Sequence, residues 1–383
     1  MNAKQIYLDY NATTSTDQRV LEVMLPYFTE VYGNASSVNH TYGWDAEEAV
    51  TIAREHIAEL VNVKPTEITF TSGATEAINI ALMGYCKANQ HRGNHMITCV
   101  TEHKAVLDTC EHLEQLGFKV TYLPVDPSGK IQLESLKSAI TERTILATFM
   151  YANNETGVIH PMKEISEITS SHDVVLMTDA TQALGKIPVN LKEIGVDIAT
   201  FSSHKIYGPK GVGALYLSGH LKGDVLPILF GGGQERGLRP GTLNVPGIVG
   251  MGTACEIIST DLTGDSLRLK ALQTILENEL LTIEGLAING ANSPRIPNTT
   301  NFSIEGVDGS RLVRTLKNLA ISQGSACTSS VLQPSHVLKS MGMSDDLALS
   351  SLRISTGRFT LEEEITEAVL EIKKAVELLK VTA

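Results

Sequence analysis

No apolar run in this sequence approaches the roughly 20 residues needed to span a bilayer. The N-terminal stretch MNAKQIYLDYNATT also lacks the apolar core of a secretory signal. The expectation is a cytoplasmic protein with no membrane attachment. Positive charge is in deficit, since 31 Lys and Arg stand against 43 Asp and Glu for a net charge of −12. Phosphate backbones are bound chiefly by Lys and Arg, so direct nucleic-acid binding is not expected. Windows dominated by Gly, Ser, Pro or one sign of charge are missing, and with them the signature of disorder. Cysteine is scarce: five residues, an odd number, with no C-x-x-C pair. That spacing argues against a disulfide framework and against a structural zinc site, and no metal is expected.

What is present is enough apolar content, 42% of 383 residues, for one large core and a smaller second one. Cys86, Cys99, Cys110 and Cys255 lie in apolar or helical runs and read as small core hydrophobes. Cys327 differs, because GSACTSS surrounds it with small polar residues. From about residue 66 to 217, short β-rich runs alternate with helical stretches or turn-rich loops. The strand candidates are Ile68–Phe70, Met96–Val100, Lys119–Leu123, Thr144–Phe149, Val174–Thr178, Ile198–Phe201 and Val212–Leu217. Helix candidates are Thr75–Lys87, Ala105–Leu116, Leu133–Ile140 and Met162–Ser171. This alternation predicts an α/β fold with a mainly parallel seven-stranded sheet covered on both faces. A long amphipathic stretch over about 248–281 leads to a smaller α+β unit, with a strand at Asn298–Ile304 and helices at Gly309–Asn318 and Leu361–Leu379. The expected division is a large domain over 15–255, with 1–14 and 256–383 forming the small one.

Ligands of such sheets bind beyond the carboxyl ends of the strands. After the first strand, TSGATEA offers a helix start that Thr71 or Ser72 can cap, with free N–H groups at Ala74 and Thr75 suited to a phosphate. After the second, TEHKAVLDT places His103 either over an aromatic cofactor or as a simple helix cap. Asp179 follows a buried strand, where an acid needs a cationic partner such as a protonated pyridine nitrogen; capping the next helix is the alternative. Lys205 in SSHKIYGPKG stands between a strand end and a turn, either as a Schiff-base lysine or as a surface lysine. Ser202 and His204 beside it can add phosphate contacts.

The order of these parts, with the motifs YLDYNATT, GNASS, FTSGATEA, TEHKAVLDTC, NNETGV, DATQALGK, SSHKIYGPKG, GGGQERG, RPGT and GSACTSS, closely resembles the NifS/IscS-type cysteine desulfurases. These are fold-type I pyridoxal-phosphate (PLP) enzymes of the class V aminotransferase family, and the resemblance covers nearly the whole chain. It implies PLP bonded to Lys205, facing Asp179 at its ring nitrogen, His103 over the ring and Gln182 at the ring hydroxyl. Ala74, Thr75, Ser202 and His204 would hold the phosphate, with Thr242 reaching in from the second subunit of a homodimer. Asn154 and Arg353 would hold the substrate carboxylate, with Asn34 nearby. The implied reaction removes sulfur from L-cysteine, leaving alanine and a persulfide on Cys327, with Lys205 and His103 moving protons. A polar stretch over about 322–346 would be the extended loop carrying Cys327 to a sulfur-acceptor protein.

The sequence stops at Ala383, where similar housekeeping proteins continue in a tail that docks the iron–sulfur scaffold. The acceptor is therefore left open between iron–sulfur assembly and a dedicated route such as a nif-type system or DNA phosphorothioation. Pro240 for the common Ser and Ala35 for the common Pro are small departures. A selenocysteine lyase or an aminotransferase of the same fold, and a non-enzymatic scaffold, are the competing readings.

Overall fold

The computed structural model describes residues 5–323 and 333–381. The chain opens with β1 (Ile6–Tyr7) and three helices, α1 (Gln18–Met24), α2 (Pro26–Thr29) and α3 (Thr41–Leu60). There follow β2 (Ile68–Thr71), α4 (Ala74–Asn89), β3 (His95–Cys99), α5 (Lys104–Gln115), β4 (Lys119–Leu123), α6 (Leu133–Ala139), β5 (Thr144–Met150), α7 (Met162–Ser170), β6 (Val175–Asp179), α8 (Leu191–Ile194), β7 (Ile198–Ser202) and β8 (Gly213–Leu217). All seven strands β2–β8 join one sheet in the order β2-β8-β7-β6-β5-β3-β4. Only β8 runs against its neighbours, β2 and β7. The carboxyl ends of β2, β3, β5, β6 and β7 therefore share one edge.

Successive residues of these strands feed opposite cores, as the two-residue strand period requires. Ile97, Ala147, Leu176 and Phe201 pack on the face covered by α3, α7 and the long helix α9 (Val245–Leu280). Met96, Leu146, Met177 and Ile198 pack on the face of α4 and α5. The four cysteines read as core residues are indeed buried and free. The expected strands are found with ends shifted by about one residue. Unforeseen were α1–α3: the buried face of α3 is Gly43, Ala46, Ala49, Val50, Ala53 and Ile57, mostly too small for a strong apolar rhythm. That smallness has a use, since Gly252 of α9 lies so close that an added Cβ would stand 2.6 Å from the Cβ of Ala53.

Helix α9 (Val245–Leu280) is one uninterrupted element shared by two cores. Its residues up to Ile258 pack into the large core. Leu272, Leu276 and Leu280 belong to a separate cluster with Ile6, Leu8, Phe302, Leu352, Ile354 and Ile372. That second unit holds β9 (Leu286–Ile288), β10 (Thr299–Ile304), α10 (Gly309–Thr315), β11 (Leu319–Ala320), α11 (His336–Ser340), α12 (Asp345–Leu349), β12 (Leu352–Ser355) and α13 (Glu362–Val381). Its sheet runs β12-β10-β9, and β1 returns to pair with β11. The stretch expected as a polar loop to about 346 is thus helical from His336 to Ser340 and again from Asp345. Val337, Leu338, Met341 and Ala348 form a small apolar cluster there, and Ser335 and Ser344 cap the two helices. Among the described residues, no helix is long and apolar enough to cross a membrane.

His160, in the loop after β5, is 1% exposed, and both ring nitrogens lack a partner among the described residues. Burial pulls its pKa down to about 4, against a smaller upward pull from Asp126. The native ring thus takes a proton only near pH 4, whereas the unfolded ring takes one near 6.5. Between those values the unfolded state holds more protons, so stability falls as pH falls. The expected loss by pH 4 is about 3 kcal/mol from this residue. Denaturant unfolding of wild type and His160→Gln from pH 7 to 4 checks it: the variant's stability should fall less steeply.

Candidate active site

The edge formed by the strand ends gathers most of the expected residues. At β2, the sequence suggested Thr71 or Ser72 as the cap of α4; instead Gly73 occupies that position at φ +153°, without a side-chain cap. The Thr71 hydroxyl turns back to the Gly73 carbonyl (3.0 Å), and the Ser72 N–H is taken by the Glu76 carboxylate. The first amides of a helix have no partner within it, so those of Ala74 and Thr75 stay available at the positive end of the α4 dipole. Thr75 is exposed and Ala74 half-buried. A Cβ built on Gly73 would lie 3.8 Å from Ser202 Oγ, which places the end of β7 against this helix start. The His204 ring nitrogen Nδ1 contacts Thr13 Oγ1 at 3.1 Å. Burial, with Lys205, Lys210 and Lys186 adding to it, lowers the His204 pKa to about 4, so the ring is neutral near pH 7.

Asp179 and Thr200 face each other across β6 and β7. The Asp179 carboxylate is buried and accepts from the Thr181 N–H (3.0 Å) and the Thr200 hydroxyl (3.3 Å). Lys205, just past β7, donates from Nζ to the carbonyls of Asn11 and Ala12, both at 2.6 Å. The Gln182 amide donates to the same Asn11 carbonyl at 3.0 Å. His103 is exposed and caps α5, its Nδ1 accepting from Ala105 N–H at 3.1 Å. The proton of its neutral ring then sits on Nε2. Directly before it, Glu102 is fully buried; burial pushes its carboxyl well above the usual range, and Oε1 accepts from the Met150 N–H.

Arg353 on β12 is buried and joins the same cluster. Its guanidinium bonds the Asp9 carboxylate (2.6 Å) and the Asn154 carbonyl (2.9 Å), while Nε has no partner among the described residues. The Asn11 side chain ties this group to Lys205, donating to the Asn154 carbonyl (3.1 Å) and to Thr299 Oγ1 (2.8 Å). Arg353 also pairs backbone to backbone with Ser322, beside the point where the described chain stops at Gln323. Cys327 lies outside the described residues. The chain resumes at 333, and Ser335 and His336 bond the Glu155 carboxylate and the Glu102 carbonyl.

Two expected residues are not drawn into the cluster. Asn34 lies in an exposed loop, where its side chain accepts from the Ser36 N–H (2.9 Å). Thr242 is exposed on the segment before α9, three residues beyond Arg239, which pairs with Glu76 of α4 at 3.1 Å. Asn11, Asp9, Lys186 and Glu102 were missed as site residues. The motifs YLDYNATT, DATQALGK and TEHKAVLDTC contained all four, yet nothing in the side chains announced that Asn11 acts through its carbonyl.

The groups present fit a phosphate-bearing pyridoxal cofactor. An uncapped helix start, a buried carboxylate and a lysine stand at adjoining strand ends, with Thr181 Oγ1 and Ser203 Oγ buried and lacking partners among the described residues.

Comparison with known proteins agrees. A family model for aminotransferase class-V matches residues 6–367. The cysteine desulfurase IscS of Anaeromyxobacter sp. (strain Fw109-5) is 48% identical over 376 residues, covering 98% of this chain and 93% of the relative. Among solved structures, a NifS-like protein superimposes with a TM-score of 0.91 at 39% identity, covering 98% of this chain and all of the other. A structure of SspA in complex with cysteine gives a TM-score of 0.83 at 36% identity, covering 93% and 100%. The chain belongs to the aminotransferase class-V family of PLP-dependent enzymes, on the branch of the NifS/IscS-type cysteine desulfurases.

Proposed function

We propose that this protein is an L-cysteine desulfurase that converts L-cysteine to L-alanine, holds the sulfur as a persulfide on Cys327 and passes it to an acceptor protein. The observation that carries this reading is the network through Asn11, which joins Lys205 and Gln182 to Arg353 around one carbonyl and one amide. It sets a covalent-attachment lysine beside a carboxylate-binding arginine. Similarity to a relative named as a cysteine desulfurase and to a structure described in complex with cysteine supports the same substrate.

Bound PLP supplies an electron sink for the bonds at the substrate Cα. Asp179 would face the ring nitrogen and keep it protonated, and Gln182 would donate to the ring oxygen. The first amides of α4, with Thr75, Ser202 and His204, would hold the phosphate. Arg353 binds the substrate carboxylate, for which its buried Nε–H, without a partner among the described residues, is a donor. Lys205 Nζ takes the Cα proton, and His103 Nε2 serves the substrate thiol. The Cys327 thiolate attacks the substrate sulfur. An S–S bond forms and the C–S bond breaks, its electron pair staying with carbon, which takes up a proton and leaves as alanine. Cys327 follows Ser322 by five residues, which span at most about 17 Å, and Ser322 is paired with Arg353.

We further propose a cytoplasmic homodimer in which Thr242 of one subunit completes the phosphate site of the other. Support comes from large exposed side chains around α2 and α3, among them Phe28, Tyr32, Val38 and Trp44, with Val38 74% exposed. Sedimentation finding an active monomer would overturn the dimer. The excess of acidic charge favours delivery to a protein, in iron–sulfur assembly or in a dedicated route such as DNA phosphorothioation, over work on DNA itself. The activity is tested by incubating the purified protein with L-cysteine and a reductant. Alanine and sulfide should appear in equal amounts; failure to form alanine would overturn the reading.

A further inference from the structure

Lys186, two turns beyond the Asp179 strand end, is only 6% exposed, an unusual place for a lysine. Its Nζ donates to Gln182 Oε1 at 2.5 Å. On the far side of the same amide, Gln182 Nε2 donates at 3.0 Å to the Asn11 carbonyl, which also receives Lys205 Nζ at 2.6 Å. We infer that Lys186 is a positioning residue: it holds the Gln182 amide in the one orientation that presents N–H, not oxygen, to the Asn11–Lys205 side of the site. The inference deepens the desulfurase reading and rests on it.

A carbonyl oxygen only accepts, so the Asn11 end of the contact requires the amide nitrogen. The amide oxygen then points inward, away from water, and needs a donor there or stands as a buried unsatisfied acceptor. Lys186 is that donor. A reversed amide would set oxygen against the Asn11 carbonyl and crowd its N–H groups against those of the amine. Burial holds the Lys186 amine well below its usual pKa, with Lys205 and Arg353 adding to the effect. Burial thus disfavours charge on this amine, and in either protonation state it keeps an N–H to donate to the Gln182 oxygen. Gln182 is left as a pure donor toward the ligand side, the polarity that suits an anionic ring oxygen.

The test uses reconstituted holoenzyme with Lys186→Met, Gln182→Leu and the double variant. Two quantities are read: the PLP dissociation constant of the stripped protein, by spectral titration, and the absorption maximum of the bound cofactor. Lys186→Met should weaken PLP binding about tenfold and shift the maximum. The double variant should match Gln182→Leu, because Lys186 acts only through that amide. Wild-type affinity and spectrum in Lys186→Met, or a double variant in which the two losses multiply, would overturn the inference while leaving the desulfurase reading intact. A wild-type chain that takes up no PLP would overturn both. Should Lys186→Met not fold, Gln182→Leu and the double variant, whose contact is apolar on both sides, still decide the matter: a difference between them contradicts the proposal.

Discussion

Replacing Cys327 by alanine should cut the steady release of both alanine and sulfide from L-cysteine by at least about 10³-fold. Without that thiolate the substrate sulfur has no acceptor on the chain, so the C–S bond has nothing to drive its cleavage. The other four cysteines cannot substitute. Burial pushes the Cys86, Cys99 and Cys255 thiols up to about 12 and raises Cys110 as well, so none supplies thiolate near neutral pH. Alanine at any one of those four positions should leave turnover within a few-fold of wild type. The Cys327 variant should still bind PLP and L-cysteine, because Lys205, Asp179, Gln182 and Arg353 are held by partners elsewhere in the chain. Spectral titration checks binding, and amino-acid and sulfide assays check turnover. Full turnover without Cys327 would move the protein to a lyase or aminotransferase of the same fold.

Lys205→Ala should lower turnover by about 10³-fold or more and abolish covalent attachment of the cofactor. The loss belongs to chemistry and not to folding. In the variant the Asn11 carbonyl keeps its bond from Gln182, and the surrounding ties from Asn11 to Asn154, Thr299 and Asn298 do not involve the lysine. The apoprotein should therefore unfold within a few degrees of wild type. Borohydride reduction followed by peptide mass spectrometry should find the cofactor on the Lys205 peptide of wild type and on no peptide of the variant. Attachment elsewhere in wild type would refute the assignment of Lys205.

Six of the seven sheet strands were legible because they are buried on both faces and so are rich in apolar residues, as at Met96–Ile97 and Leu146–Ala147. The seventh, β4, lies at the sheet edge with only Leu123 buried. Asp179 and Ser202 stood out for a related reason, as polar residues directly after a buried apolar run, and Lys205 follows Ser202 by three residues. Helix α3 was not legible, because alanine carries its packing and leaves little contrast. Helices α11 and α12 were masked by Ser, Lys and Asp around a few apolar residues that pack on one another and on the distant Val125. The contacts that bind the site together were least legible of all. Lys205 and Arg353 grip carbonyl oxygens of Asn11, Ala12 and Asn154, which every residue carries. Asp9 and Arg353 meet across a separation of 344 residues that no local pattern reveals.

The most direct test of the central claim is to expose the purified protein to L-cysteine without reductant, alkylate it and map every cysteine peptide by mass spectrometry. One added sulfur atom should appear on the Cys327 peptide alone, formed together with one equivalent of alanine. Alanine accumulating while Cys327 stays unmodified, or sulfur appearing on the peptides of the buried cysteines instead, would contradict it.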